Sequence, residues 1–269
     1  MALRILGPPP IDIHTGGIDL IFPHHENEIA QSECATGRPF SRFWVHSEHL
    51  TVDEQKMSKS LGNTYTISDV VGEGYRPSAV RYLLLSAHYR KQLNFTWVGL
   101  QQAEEALRRL TDFLVRLDTI APVRSGGPSD TPASDGASPD IRAHIDAARR
   151  EFGDAMRADL NTAAALAAMF DLVRALNSAI DAGQLGPADV PAVRGAFDQF
   201  DRVLGVLSLR RAEDEQPPVP VEEIERLIEE RQSARRRRDF AAADRVRDDL
   251  AARGVLLEDS AAGTRWKKK

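Results

Sequence analysis

The string "KMSKS" at 56–60 carries the densest chemistry in this sequence. Lys56 and Lys59 alternate with the hydroxyls of Ser58 and Ser60 in a polar loop after a β-branched, aromatic run. Lysine supplies point positive charge where a leaving phosphate gathers negative charge, and the serines add donors. The string therefore suits a mobile clamp over phosphates. Upstream, "GGIDLIFPHHENE" (16–28) crowds glycines, an aspartate, histidines and glutamates together. On a helix opening near Pro23, His24 and Glu28 stand at i and i+4 and project from one face. An imidazole nitrogen and a carboxylate oxygen so placed suit two ligands of a zinc ion. Ile29 stands where H-E-x-x-H would need its second histidine, so that metalloprotease pattern is not met. His25 and Glu26 fall elsewhere around the helix, as supporting or surface groups. Gly16 and Gly17 permit close backbone approach, and Asp19 is placed to accept ribose hydroxyls. "HSEH" (46–49) lacks the glycine of a nucleotide-binding histidine signature and is set aside. Near the other end, Arg235, Arg236, Arg237 and Arg238 form a run, and Arg265 and Trp266 lie in "GTRWKKK". Cations beside an aromatic ring are the mix that holds an RNA backbone and stacks an unpaired base.

Elements of several kinds must position these groups. "IDIHTGGIDLIF" (11–22) reads as a strand, a Gly-Gly turn and a second short apolar run; "NEIAQSECATG" (27–37) reads as a helix stopped by Gly37. Cys34, four residues from Ala30, is expected in the core. "RFWVHSEHLTV" (42–52) reads as a strand or hairpin entering the polar loop. From about residue 96 the period changes: Leu100, Ala103, Leu107, Leu110, Leu114 and Leu117 recur at helical spacing. Helical patterns continue at 141–160, 161–180 and 192–207, so a helical bundle is expected. A Gly/Pro/Ser/Asp-rich stretch (123–140) reads as a flexible connection and 210–220 as a charged, proline-rich linker. Beyond it come two helices, the second ended by Gly254, and a short β-hairpin.

Composition bounds the function. With 269 residues, 42% of them hydrophobic, the chain can bury more than one core. A formal net charge of −5 and a pI near 5.8 exclude a general polyanion binder but leave room for one local basic face. The single cysteine, Cys34, excludes an internal disulfide framework and fits a reducing compartment. No run approaches the roughly 18 apolar residues of a membrane span. The first residues lack a signal-peptide layout, so a cytoplasmic chain with no membrane partner is the expectation.

The order of the motifs resembles one family. "IDIHTGGIDLIFPHHENEIAQSECATG", "FWVHSEHLTVDEQKMSKSLGNTYTISDVV" and "RPSAVRYLLLSAHYRKQLNFTW" resemble the second half of a cysteinyl-tRNA synthetase, a class I enzyme. Residues 152–177 look like that family's DALR helical domain, and 228–266 are similar to its anticodon-binding domain. The resemblance implies α/β plus all-α architecture. A partial Rossmann-type catalytic region (1–96) would precede a DALR-like bundle (97–209, with a flexible insert at about 121–140). A linker (210–220) and a small α/β domain (221–269) would follow. It further implies activation of L-cysteine with ATP and Mg2+, transfer to the 3′ end of tRNA(Cys), and a monomer at full length. In the family zinc binds the substrate thiolate, which serine's hydroxyl cannot match, so discrimination needs no editing site. By motif, His24 and Glu28 match two of four zinc ligands, Lys59 matches the contact to ATP phosphates, and Gly16, Gly17 and Asp19 line the nucleotide site. His14 falls near the cysteine pocket.

The departures are equally informative. The family's two cysteine zinc ligands and its His-x-Gly-His signature do not occur in this sequence. The expectation is a sequence that starts late, with an incomplete zinc site, no adenylate formation alone and an exposed sheet edge. A stand-alone tRNA-binding module is the alternative from the binding class. The related cysteine ligase of mycothiol synthesis is a third, and the basic end (228–269) argues against it.

Overall fold

The first strand follows a Pro8-Pro9-Pro10 run, and its partner is reached only after a helical crossover. This is the computed structural model of the chain, and it describes residues 2–120, 137–215, 219–237, 239–260 and 263–268. After a short helix α1 (Ala2–Leu6), β1 (Ile11–Gly17) pairs in parallel with β2 (Ser41–Ser47). The register sets Ile13 beside Phe43, His14 beside Trp44 and Thr15 beside Val45. Parallel pairing needs a crossover, and residues 18–36 supply it: a 3₁₀ turn, a wide turn over Ile21–His25, then α2 (Glu26–Thr36). Gly37 ends α2 in the left-handed region at φ 66°, its N–H donating to the Glu33 carbonyl at 2.8 Å. The second apolar run expected at 18–22 is thus helical.

A second sheet holds the lysine-rich loop. In it β3 (Leu50–Val52) lies between β4 (Gln55–Lys56), antiparallel, and β5 (Leu93–Phe95), parallel. The β3–β4 turn is Asp53-Glu54, both at positive φ (48° and 65°). Two successive left-handed residues match the twist of a tight hairpin. Asn94 offsets their strain, its Oδ1 accepting from the Glu54 N–H at 2.8 Å and lying 3.3 Å from Thr51 Oγ1.

Helices α3 (Ile67–Gly72) and α4 (Pro77–Leu85) lead to the bundle of α5 (Trp97–Ile120), α6 (Pro139–Arg157), α7 (Thr162–Asp181) and α8 (Val190–Leu204), with α9 (Leu207–Glu215) after it. The predicted stripe on α5 is buried at Leu100, Ala103, Leu107, Leu110 and Leu117, while Leu114 is half-buried. Phe152 stacks on Phe200 at 4.6 Å and Phe113 meets Phe197 at 5.3 Å. Val52, Val70, Leu83 and Phe95 belong to this same core, so the second sheet is anchored on the bundle. The β1–β2 pair stands outside it. Among the described residues α7 alone is long and apolar enough to cross a membrane. Its Leu166, Met169, Leu172 and Leu176 are buried in the bundle, which accounts for that composition.

Two stretches differ from expectation. The one expected as a linker from 210 is helical to Glu215, and 216–218 lie outside the described residues, as does 121–136 of the expected flexible connection. Cys34 is exposed, not buried. The physical reason is that α2 has no buried residue, since no further layer covers it.

A polar joint ties the turn before β5 to the bundle. Tyr89 O–H donates to Asp159 Oδ1 and Arg90 Nε to Asp159 Oδ2, both at 2.6 Å. Asp159 and Leu160 sit at φ 57° and 55°, a strained pair in the α6–α7 turn. The Tyr89 and then the Arg90 hydrogen bonds hold the Asp159 carboxyl below the usual carboxylate range. A depressed carboxylate stabilises the fold above its unfolded pKa, about 3.9, and that contribution is lost as pH falls through the folded value. Thermal melts of wild type and Asp159→Asn should differ at pH 6, and the difference should shrink as pH falls below the unfolded value. A constant gap would refute the joint.

The chain divides into two units, Met1–Leu207 and Ser208–Lys269. In the second, α10 (Val221–Arg236) and α11 (Phe240–Ala252) pack with the hairpin β6 (Val255–Ser260) and β7 (Gly263–Lys268). Its small core is Val219, Ile224, Leu250 and Val255, with Trp266 packed against it.

Candidate functional site

Strand alternation and the crossover bring a cluster of imidazoles to one face of the β1–β2 pair. His14 on β1 lies 4.8 Å from its neighbour Trp44 and 4.9 Å from the ring of His25. His25 is buried, with Nδ1 2.7 Å from His46 Nε2. Glu28, one turn into α2, sits between two histidines: Oε2 is 2.8 Å from His14 Nε2 and Oε1 is 3.7 Å from His24 Nε2. That Oε2 atom is buried and accepts no well-directed hydrogen bond. Burial first, then His14 and His46, push the His25 pKa down, which keeps the ring neutral and able to bind a cation or accept a hydrogen bond.

Ligand atoms of His14, His25 and Glu28 all lie within 4.8 Å of one another. These donors could hold a metal ion through nitrogen and oxygen alone, since Cys34 is exposed on α2 outside the group. His24, the sequence-level ligand, is at the exposed rim of the cluster. The burial of His25 and its contact with His46 were missed from sequence. The signal lay in the β2 alternation, which puts Trp44 and His46 on one face.

Gly16 has to be glycine here, because a Cβ would fall 2.7 Å from His25 Cε1 and 3.0 Å from its Nε2. At Gly17 a Cβ would meet only the flexible Asp19 carboxylate. Asp19 is exposed, 4.0 Å from His49 Nε2, and its oxygens can accept from a ligand.

The lysine-rich loop has an internal frame. Ser58 caps a 3₁₀ turn over Lys59–Leu61, its Oγ accepting from the Leu61 N–H at 3.3 Å. Asn63 closes the loop. Its Oδ1 accepts from the Ser58 N–H at 2.8 Å and its Nδ2 donates to the Lys56 carbonyl at 3.1 Å. Ser58 and Ser60 hydroxyls are 3.2 Å apart. Met57 packs against the bundle core, whereas Lys56 and Lys59 are exposed. An anchored loop with two solvated ammonium groups can take up an anion without breaking any ion pair seen among the described residues.

In the second unit, Trp266, Arg236, Gln232, Ile228 and Thr264 line an open cavity of about 600 Å³ together with Glu225 and Glu229. Arg235 and Arg236 close α10 and Arg237 caps it. Arg238 lies outside the described residues, and of Arg265 only the backbone is described. A ring, a guanidinium and an amide thus share this space with two carboxylates.

Comparison with known proteins places these features. Residues 1–105 match the family model for the tRNA synthetases class I (C) catalytic domain, so the first unit carries a class I synthetase catalytic region. Residues 151–208 match the DALR domain and 219–266 the Cysteinyl-tRNA ligase anticodon binding domain. The chain belongs to the cysteinyl-tRNA synthetase family. It is 46% identical over its full length to the Cysteine--tRNA ligase of Solibacter usitatus, covering 54% of that protein. It is 42% identical to that of Protochlamydia amoebophila, covering 53%. The chain thus spans about half the length of the curated relatives it matches. The crystal structure of the ternary complex of Agrobacterium radiobacter K84 agnB2 LeuRS-tRNA-LeuAMS shares the fold over 73% of this chain and 26% of that one, with TM-score 0.53 and 23% identity.

Proposed function

We propose that this chain serves cysteine–tRNA ligation in the cytoplasm. It supplies the phosphate clamp, the cysteine pocket and the tRNA-reading unit of that reaction. The observation that carries the reading is the framed lysine loop in the same folded unit as Glu28 and its three histidines. In the first step the cysteine carboxylate attacks the α-phosphorus of ATP and pyrophosphate leaves. Lys59, with Lys56 and the serines, holds the oxygens on which charge develops. Asp19 accepts ribose hydroxyls, and the glycines let the nucleotide approach the backbone. In the second step the 3′-terminal hydroxyl of tRNA(Cys) attacks the cysteinyl carbonyl carbon of the adenylate, forming the ester and releasing AMP. Arg236 and Trp266 hold the anticodon.

Glu28, with His14, His24 or His25, would hold the zinc ion, which when bound supplies recognition of a thiolate over a hydroxyl. Three nitrogen and oxygen donors without a protein thiolate hold zinc less firmly than a sulfur-rich site. A competition titration should therefore find zinc easily stripped by a chelator, with Cys34→Ser unchanged. Stoichiometric uptake that resists the chelator would contradict this.

The 269 residues contain no His-x-Gly-His and one exposed cysteine, which favours tRNA binding without adenylation in the isolated chain. Filter binding should show tRNA(Cys) held over an unrelated tRNA, with affinity falling as salt rises from about 50 to 200 mM. The same preparation should show no cysteine-dependent pyrophosphate exchange. Exchange above background would overturn this division of labour, and equal binding of both tRNAs would overturn the tRNA reading.

A further inference from the structure

Two helices of the bundle carry the same residue spacing toward a shared groove. On α5, Arg109, Asp112, Phe113 and Arg116 stand at i, i+3, i+4 and i+7, on one helix face. On α7, Phe170, Val173, Arg174 and Asn177 repeat that spacing. Between them lies an open cavity of about 560 Å³, the size of a small-ligand site. Its floor is apolar, since Phe113 and Val173 are buried and Phe170 is half-buried. The three arginines differ in what holds them. Arg116 reaches across the groove, where Nη1 donates to Asn177 Oδ1 at 2.8 Å and Nη2 pairs with Asp181. Arg174 pairs with Asp171 at 2.9 Å on its own helix, and both are exposed, so that pair is weak. Arg109 has its Cζ 5.2 Å from the centroid of the Phe170 ring. It has no carboxylate partner among the described residues, although Asp112 is one turn away. A guanidinium stacked on a ring keeps its N–H fork for an anion, and a phosphate can take two of those bonds. With its oxygen on Arg116, Asn177 keeps two amide N–H donors.

We propose that the α5–α7 groove binds a free mononucleotide, its phosphate on Arg109 and its base on the apolar floor beside Phe170. Arg174 leaves its exposed pair to join the phosphate, and the Asn177 amide donates to the base edge. The floor calls for a flat apolar ring, the amide for acceptors on its rim and the fork of Arg109 for an anion. A nucleotide combines all three. Charge selects a small ligand over a polynucleotide. Asp112 stands in the lining and Asp171 and Asp181 flank it, so carboxylates fence the groove. A nucleic-acid strand carries a charge at every nucleotide and would lay its next phosphates on that fence. A mononucleotide ends inside it.

The test titrates the full chain with GMP by calorimetry, the guanine base keeping the probe apart from the ATP of the proposed ligation. The expected result is one saturable site, weakened about tenfold or more by Arg109→Ala. Arg109→Lys should fall between the two, since it keeps the charge and loses the fork. Guanosine and inorganic phosphate should each bind about tenfold or more weaker than GMP, because each engages only part of the groove. No saturation by about 10 mM GMP would overturn the proposal. So would binding that survives Arg109→Ala and is lost in Lys59→Ala, which would put the nucleotide on the lysine-rich loop. Single-stranded RNA held through Arg109 more tightly than GMP would overturn it too, by making a polynucleotide the occupant. Arg109 is exposed, so its replacement should keep the melt of the free chain. Should the variant fail to fold, amide exchange in the wild type decides. Saturating GMP should slow exchange about threefold or more at 109–116 and 170–177, and unchanged exchange there overturns the site. None of these readouts uses catalysis, so they stand apart from the activity proposed above.

Discussion

Replacing Phe197 with alanine should destabilise the first unit by about 3–5 kcal/mol. Phe197 is 1% exposed at the centre of the bundle, its ring 5.3 Å from Phe113 and 6.2 Å from Phe200. Truncation removes its transfer free energy and leaves a cavity whose walls, on α5 and α8, are held by other packed residues. A domain of this size loses roughly 2–4 °C of Tm per kcal/mol, so a drop on the order of 6–20 °C is expected. Urea unfolding checks it through a lower midpoint at unchanged slope. The control is Phe43→Ala, the same chemical change at an exposed position of β2. In the isolated chain it should move stability by only about 0.5 kcal/mol. Equal losses at the two sites would mean that the β1–β2 pair shares the bundle's core, against the packing described.

The contrast between these phenylalanines also shows what the sequence could tell. Period and spacing alone located α5, α6, α7 and α8, because each helix buries one stripe and the stripe is written into the chain. The Gly37 stop and the "KMSKS" loop were legible for the same local reason. Whether an apolar strand residue is covered depends on elements elsewhere, so the apolar character of Ile13 and Phe43 does not reveal that both are exposed. Cys34 failed similarly: its helix has a buried-looking neighbourhood in sequence and no covering layer in space. At the site, the i, i+4 rule put His24 beside Glu28, and the structure leaves His24 at the exposed rim. The rule could not find His25 or His46, whose meeting depends on a wide turn at Ile21–His25 and on the parallel register. Asn63 escaped because its role is geometric, closing a loop onto Ser58 and Lys56 from outside the motif.

The largest functional effect is expected at Lys59. Joined covalently to the unaligned part of the 46%-identical relative, the chain should support cysteine-dependent pyrophosphate exchange, and Lys59→Ala should lower its rate about 10²–10³-fold. The reason is electrostatic. Charge on the leaving pyrophosphate develops in the transition state, and Lys59 is exposed, with no ion pair seen among the described residues, on a loop already ordered by Ser58 and Asn63. A group that acts on developing charge lowers kcat and kcat/KM together, so KM for cysteine should stay near the wild-type value. Glu28→Gln should do the opposite, raising KM for cysteine, because Glu28 belongs to the donor group proposed to hold the thiol-binding metal. Arginine at 59 should restore only part of the rate, since a broad planar guanidinium does not take the place of a compact ammonium. Asn63→Ala should fall between wild type and Lys59→Ala: the lysine remains, but the two hydrogen bonds that hold its loop are gone. If Lys59→Ala raised KM for cysteine and spared kcat, the loop would be binding the amino acid, and its assignment to the phosphates would fail.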